Sequence, residues 1–382
     1  MTRLLELLIS FAIVAVLFLV IGVILPSSRT LEEKVETNRR QTIVFDTLNS
    51  FRRLDDWHPM AVQDPRIQIR LSGPESGVGA TMEYESQVNA IGAGKWEIVE
   101  SEPRTKVVYA IENDQRGSNK RTEFVLRPTG RQGRNIEITQ TYHVDYGWNL
   151  LGRYAGLYVA RNVGDSMEAG LKRLSSMLAT VPNVDYAVED SKLTGLAVAE
   201  LPVENLLVVK AGAIERNNDA IMASMKDNME WINRTLAANK LEAAGPMRII
   251  TSELGRETYT FDIAQPVRPA GTGPAAPAEG EAAEGETPAP APAPAAVADA
   301  GELTGLELLG PVEYVRSEPV RVAKAEYTGF MAELDNVRNA LRAWAVTQGY
   351  EVIGRPFENY ENGVDAAFTA DGEYEVFWTL KQ

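Results

Sequence analysis

Few side chains in this chain could do acid–base or nucleophilic chemistry. His58 and His143 are its two histidines, and its 382 residues include no cysteine. Thiolate nucleophiles, disulfides and thiolate metal sites are thereby excluded. A metal site made from two separated histidines is not expected either, and no Ser/His/Asp order, HExxH, phosphate loop or dinucleotide glycine fingerprint is present. The sequence therefore implies no catalytic set, no metal and no cofactor. His143 lies in the alternating stretch ITQTYHVDYG and reads as a residue on a sheet face. His58, beside Asp55 and Asp56 in Trp57-His58-Pro59, reads as a helix-end residue. Glu358 stands out because Phe357 and Tyr360 flank it. A carboxylate among aromatic rings would attract a lipophilic cation by charge and π face together. With its pKa raised by burial it could instead serve as a general base toward water, and an exposed strand-edge glutamate is the ordinary alternative. Tyr327, Trp344 and Trp378 are candidate walls for such a pocket, and each suits core packing equally well. Arg153 and Arg161 stand near Tyr154 and Tyr158, where they could meet an anionic ligand, although a solvated helix face is the plainer reading.

The elements that must position these residues begin with an apolar run. Leu7–Leu25 reads LLISFAIVAVLFLVIGVIL, and Glu6 is the one charge between Arg3 and Arg29. About 20 apolar residues at about 1.5 Å rise cover a bilayer core of about 30 Å. The run exceeds the apolar region of a signal peptide and ends in Leu25-Pro26-Ser27-Ser28 without a small-x-small cleavage pattern. Residues 4–25 are thus expected to be a retained single-pass helix in the cell inner membrane. Arg29, Lys34, Arg39 and Arg40 after the run favour a cytoplasmic body, whereas a short leading tail favours export. A periplasmic body is the reading preferred here, with the side left open. The net charge of −15 argues against nucleic acid as a partner, since a polyanion is bound by a basic surface.

Residues 266–302 are rich in Pro, Ala, Gly and Glu and contain no aromatic residue, a composition that does not offset its ordering entropy. They are expected to form a disordered insertion. A softer boundary falls at Pro182–Ser191. Before it, six stretches alternate with period two: Arg66–Gly73, Gly79–Ser86, Gly94–Ser101, Lys106–Asn113, Lys120–Pro128 and Asn135–Gly147. Their tight connections predict an antiparallel meander. Leu151, Tyr154, Leu157, Tyr158, Val163, Met167, Leu171, Leu174 and Leu178 then recur at helical spacing, so one long helix, broken near Gly164, is expected to bury that stripe on the sheet. Trp57-x-Pro59, Asp64-Pro65, GPESGVGA (Gly73–Ala80), GKWEIVESEP (Gly94–Pro103), Val144-Asp145-Tyr146-Gly147-Trp148-Asn149, GRYAGL (Gly152–Leu157) and Gly170-Leu171-x-x-Leu174 occur in that order. With this element order, residues 32–181 resemble the polyketide-cyclase-like branch of the START/Bet v 1 (SRPBCC) helix-grip superfamily. The resemblance implies a sheet curled around a long helix, with a mostly apolar cavity between them.

Residues 192–382 contain a faint repeat. An apolar strand (Leu206–Ala213), a helix (Asn218–Ala238) and the strands RIITS and ETYTFDIA are echoed by Val320–Gly329, a helix over Phe330–Gln348 and the strand EYEVFWTL. Two such copies predict a pseudo-twofold α+β domain with the insertion between them. Tyr327-x-Gly329, Trp344 and Gly354-Arg355-Pro356-Phe357-Glu358-Asn359-Tyr360 resemble the GyrI-like effector-binding domain. That resemblance implies a ligand groove between the halves with Glu358 pointing into it. The Asp-Pro that usually follows is replaced by Glu361-Asn362-Gly363, and Met247-Arg248 stands where the first copy would carry an aromatic-Glu pair, so the groove is asymmetric.

The expected class is α+β throughout, and the expected protein is a membrane-anchored, non-enzymatic binder of a hydrophobic small molecule or lipophilic cation. Ligand contacts would come from Glu358, Tyr360, Phe357, Tyr327, Trp344 and Trp378, and the partners would be that ligand and the bilayer. The alternatives are a hydrolase or cyclase with Glu358 as general base, and a structural envelope module.

Overall fold

The computed structural model describes residues 2–188, 192–272 and 301–381. It divides into two units, Met1–Ala187 with Val346–Gly349, and Val188–Ala345 with Tyr350–Gln382.

The first unit begins with α1 (Thr2–Ile24), whose span Leu5–Ile24 is long and apolar enough to cross a membrane and is almost wholly unburied. Then come β1 (Ser28–Thr37), α2 (Gln41–Leu48), α3 (Leu54–Trp57), α4 (Pro59–Gln63) and β2 (Gln68–Ser72). The meander continues through β3 (Thr81–Glu85), β4 (Ala93–Glu102), β5 (Lys106–Asn113), β6 (Ser118–Thr129) and β7 (Asn135–Asp145). The chain then forms α5 (Leu150–Ala155), a π-helical turn at Ala160–Gly164 and α6 (Asp165–Leu178). All seven strands join one antiparallel sheet in the order β1-β7-β6-β5-β4-β3-β2, which places the first strand beside the last. In β7 the alternation is complete, with Ile136, Ile138, Gln140, Tyr142 and Val144 buried and their neighbours half-exposed. α6 packs on β1, α3 and α4 and buries Met167, Leu171, Leu174 and Leu178. Each of these contributes about 1.5–3 kcal/mol of apolar burial. β1 starts at Ser28, four residues ahead of the expected edge at 32.

The expected apolar stripe is corrected in its first half. Leu151, Leu157 and Tyr158 are exposed, because a turn at 156–158 ends α5 and the wide π turn that follows shifts the register in which α6 begins. α5 lies against α1 instead.

The second unit comprises β8 (Leu193–Leu201), β9 (Asn205–Glu215), α7 (Asn218–Asn239), β10 (Leu241–Ala243), β11 (Met247–Leu254) and β12 (Thr258–Pro269). It continues with β13 (Glu313–Arg316), β14 (Val320–Thr328), α8 (Leu334–Thr347), β15 (Phe357–Tyr360), α9 (Gly363–Ala367) and β16 (Glu373–Thr379). Its sheet runs β13-β9-β12-β11-β15-β16-β14-β8, with β10 on β12. The duplication is visible in that order. β9-β12-β11 and β14-β16-β15 are equivalent triplets, each with its last strand in the middle, and they meet where β11 pairs antiparallel with β15. Leu207, Ile249, Phe261 and Ile263 on the sheet belong to one core with Ile221 and Met225 of α7 and Val337 and Leu341 of α8. β12 extends through Pro269, so the segment expected to lack structure from 266 opens inside a strand; its stretch 273–300 lies outside the described residues.

Candidate functional site

The first unit holds a cavity of about 180 Å³ between the sheet and the helices. Trp57 and His58 reach it from the α3–α4 junction, Tyr84, Trp96 and Ile111 from β3, β4 and β5, Thr122, Gln140 and Tyr142 from β6 and β7, and Asn162 and Val163 from the π turn. Met167 and Gly170 of α6 close it. A Cβ on Gly170 would stand 3.2 Å from Pro59 and 3.8 Å from Trp57, so the missing side chain lets α6 seat on that junction. None of the lining side chains is an Asp, Glu, Lys or Arg.

His58 caps α4, where its Nδ1 accepts the Met60 N–H at 3.3 Å, and this bond leaves the ring proton on Nε2. Burial pushes its pKa down to about 4, so near neutral pH the ring is an uncharged donor. It stands edge-on to Trp96 at 5.0 Å. Gln140 donates to Thr122 Oγ1 at 3.1 Å, while its buried Oε1 has no hydrogen-bond partner among the described residues. A buried unmet acceptor costs about 1–3 kcal/mol and is relieved by a ligand that donates to it. The histidine readings both fit: His58 is at a helix end, and it also lines the cavity; His143 is on β7, beside Thr30 at 3.1 Å and Asp145 at 3.1 Å.

In the second unit Glu358 is fully buried at the centre of the sheet, opposite Ile249. Its carboxylate accepts from Arg338 Nε at 2.6 Å and from Nη2 at 3.0 Å. Arg338 Nη2 lies 3.4 Å from Tyr259 Oη, which bonds Thr251 Oγ1 at 2.8 Å. Burial alone would lower the Arg338 pKa, and the Glu358 carboxylate outweighs it, raising the guanidinium above its ordinary value. The expectation of a carboxylate awaiting a cationic ligand is therefore corrected, because this chain supplies the cation from α8. Phe357 does not flank the carboxylate either. Side chains alternate along β15, so Phe357 faces the other way, stacked on Phe377 at 5.0 Å with the Arg248 guanidinium 4.8 Å above it. Tyr360 shares Glu358's face, meets Tyr374 edge-on at 5.0 Å, and its buried hydroxyl has no hydrogen-bond partner among the described residues. Tyr327 stacks on Tyr374 and donates to Glu333 at 2.6 Å. Trp378 lies under Arg342, 5.7 Å from guanidinium to ring, and Trp344 packs at the core's edge. A cavity of about 130 Å³ between the starts of α7 and α8 is lined by Arg216, Tyr259, Asp335 and Arg338, and none of the six expected residues reaches it.

Arg153 is neither a ligand contact nor a solvated residue. It is buried, and its Nη1 donates to the carbonyls of Val23 at 2.8 Å and Leu25 at 3.2 Å at the end of α1. Arg161 is exposed.

Known proteins can now be set beside this geometry. No curated protein sequence matches the chain. Among solved structures, the EcmrR C-terminal domain is 12% identical, covers 49% of this chain and 98% of its own, and has a TM-score of 0.33. Truncated norcoclaurine synthase from Thalictrum flavum is 12% identical, covers 40% and 94%, and has a TM-score of 0.32. A cryo-EM structure of an EcmrR-DNA complex is 12% identical, covers 67% and 89%, and has a TM-score of 0.35. These likenesses are distant, and nothing in the chemistry of either cavity rests on them. One expectation is corrected: the last of these structures is of a DNA complex, and the exclusion of nucleic acid as a partner is withdrawn. Net charge is a sum over the chain and does not describe any one surface. Residues 28–178 match the family described as polyketide cyclase / dehydrase and lipid transport, and it is this segment, with its cavity between sheet and helix, that carries the family likeness.

Proposed function

We propose that the chain is a membrane-anchored, non-enzymatic binder of an uncharged, largely aromatic small molecule, held in the cavity of the first unit. The observation that carries this reading is the chemistry of the wall, which combines aromatic and aliphatic surface with one neutral histidine and uncharged polar side chains (Gln63, Asn113, Gln115, Asn162, Ser166 and Gln140, whose oxygen is unmet among the described residues) and has no charged side chain. An ion entering it would lose its hydration without meeting an opposite charge, whereas a neutral molecule would lose less. A cavity of about 150 Å³ is known to take one benzene ring, so the ligand is of one- to two-ring size. Binding is favoured over turnover because a histidine with a pKa of about 4 is a weak base near neutrality. The family match supports a small-molecule role for residues 28–178. The apolar span of α1 supports the anchor, and placing the body on the periplasmic side belongs to this proposal. In the second unit, the expected ligand set around Glu358 gives way to the small cavity beside Arg338 as a secondary site.

The test is calorimetry of the full chain in nanodiscs with 2-naphthol, 2-naphthoate and 2-naphthylmethylammonium, which share a ring system and differ in charge. 2-Naphthol should bind and the two ions should not. Ala90→Trp, at an exposed position on the cavity's rim, should block 2-naphthol. Equal binding of all three probes, or no effect of Ala90→Trp, would remove this reading.

A further inference from the structure

Trp148, Leu151, Leu157 and Tyr158 are 81%, 54%, 50% and 63% exposed, a concentration of large apolar side chains within eleven consecutive residues. An unpartnered surface of this kind marks an interaction site. What covers it follows from what it is attached to. Tyr154, in the same segment, stacks on Phe18 of α1 with ring centres 4.4 Å apart and planes 8° apart, and its hydroxyl donates to the Phe18 carbonyl at 2.8 Å. Arg153 holds the last carbonyls of α1 and lies 5.4 Å from the Trp148 ring. Gly22 makes the approach possible, because a Cβ there would stand 3.2 Å from Leu150 Cβ and 3.3 Å from Tyr154 Cε2. α5 is therefore seated on α1 over its final turns.

Depth can be estimated from this seating, on the proposed reading of α1 as a membrane span. Phe18 precedes Ile24, the end of α1, by six residues, or about 9 Å of helix rise. The apolar span of 20 residues is about as long as the hydrocarbon core is thick, so its end coincides with the membrane boundary. Tyr154 then reaches about 9 Å below that boundary, within the roughly 5–10 Å at which interfacial helices lie. Trp and Tyr flanked by Arg is the composition that prefers this layer.

We infer that Trp148, Leu151, Leu157 and Tyr158 lie at the boundary between headgroups and acyl chains of the bilayer that α1 crosses, so that α5 is a second, interfacial contact with the membrane. The π turn that follows contributes Asn162 and Val163 to the cavity, which places one cavity wall next to this contact.

The lack of cysteine in the chain permits the test. Val16→Cys in α1, Leu151→Cys, Leu157→Cys and Val99→Cys on β4, all at exposed positions, are labelled with an environment-sensitive fluorophore. The full chain is then reconstituted into phosphatidylcholine and phosphatidylglycerol vesicles containing lipids with a nitroxide near the ester or near the methyl end. The Leu151 and Leu157 labels should be quenched several-fold more by the shallow nitroxide than by the deep one, the Val16 label the reverse, and the Val99 label by neither. Quenching at Val16 without quenching at Leu151 and Leu157 overturns the inference and leaves the anchor standing. No quenching at Val16 overturns the anchor, and the inference with it. Labels at Leu151 and Leu157 shielded from both lipid nitroxides and aqueous iodide would mean that a protein covers the surface, which also overturns it.

Discussion

Arg338 and Glu358 face each other at 2.6 and 3.0 Å in a bidentate pair from which solvent is excluded on both sides. Such a pair costs desolvation and is repaid only while both partners are present. Glu358→Leu, which strands the guanidinium, should destabilise the second unit by about 3–5 kcal/mol, and Arg338→Met with Glu358→Leu should recover most of the loss. Urea unfolding of the full chain checks this. A double variant as unstable as the single one would mean that the pair is not a self-contained unit.

His58 makes the first unit acid-sensitive. Its pKa falls from 6.5 to about 4 on folding, so between these values the unfolded chain binds the extra proton and stability rises with pH. The contribution is fully present above about pH 6.5 and is lost as pH falls toward 4. At about 1.4 kcal/mol per unit, with the ring partly open to the cavity, it amounts to about 1–3 kcal/mol. His58→Asn keeps a capping acceptor for Met60 and should flatten the unfolding midpoint across this window; an unchanged slope would assign the acid sensitivity elsewhere.

Gln140 should separate ligands that donate a hydrogen bond from those that do not. Gln140→Leu removes the unmet acceptor and should weaken 2-naphthol by about 1–3 kcal/mol while leaving naphthalene unchanged or tighter. Calorimetric affinities for the two compounds decide it, and a parallel loss for both would point to altered shape instead.

The anchor reading predicts that full-length protein stays with membranes after carbonate extraction. Replacing Val14 and Leu17 together by Arg places two charges in the span at about 2.5–3.5 kcal/mol each and should release a substantial soluble fraction. Release of the unaltered chain would count against a span.

Strand positions in the first unit were legible because β3 to β7 follow a period of two, which burial on one face enforces. The repeat in the second unit was legible for a related reason, since each copy must bury its own helix on its own strands. The Glu358 site was not. Period two alone puts Phe357 and Glu358 on opposite faces of β15, whereas reading them as a cluster treats adjacency in sequence as adjacency in space. Arg338 lies twenty residues away on α8, and no local pattern announces it. The cavity did leave a signal in Gln140, a polar residue at an inward position of an otherwise apolar alternation. The break expected near Gly164 coincides with the π turn, but spacing does not reveal that Leu151, Leu157 and Tyr158, which precede it, leave the buried face.

That break has a geometric consequence. An α-helix turns about 100° per residue, and the π turn at Ala160–Gly164 accommodates one residue more than an α turn would. That residue shifts the phase in which the chain enters α6, and the turn at 156–158 ahead of it uncouples α5 from α6. The direction of α5 is therefore taken from α1, on which it packs, and the cavity wall built from the π turn is the joint between a body fixed to the sheet and one fixed to the anchor.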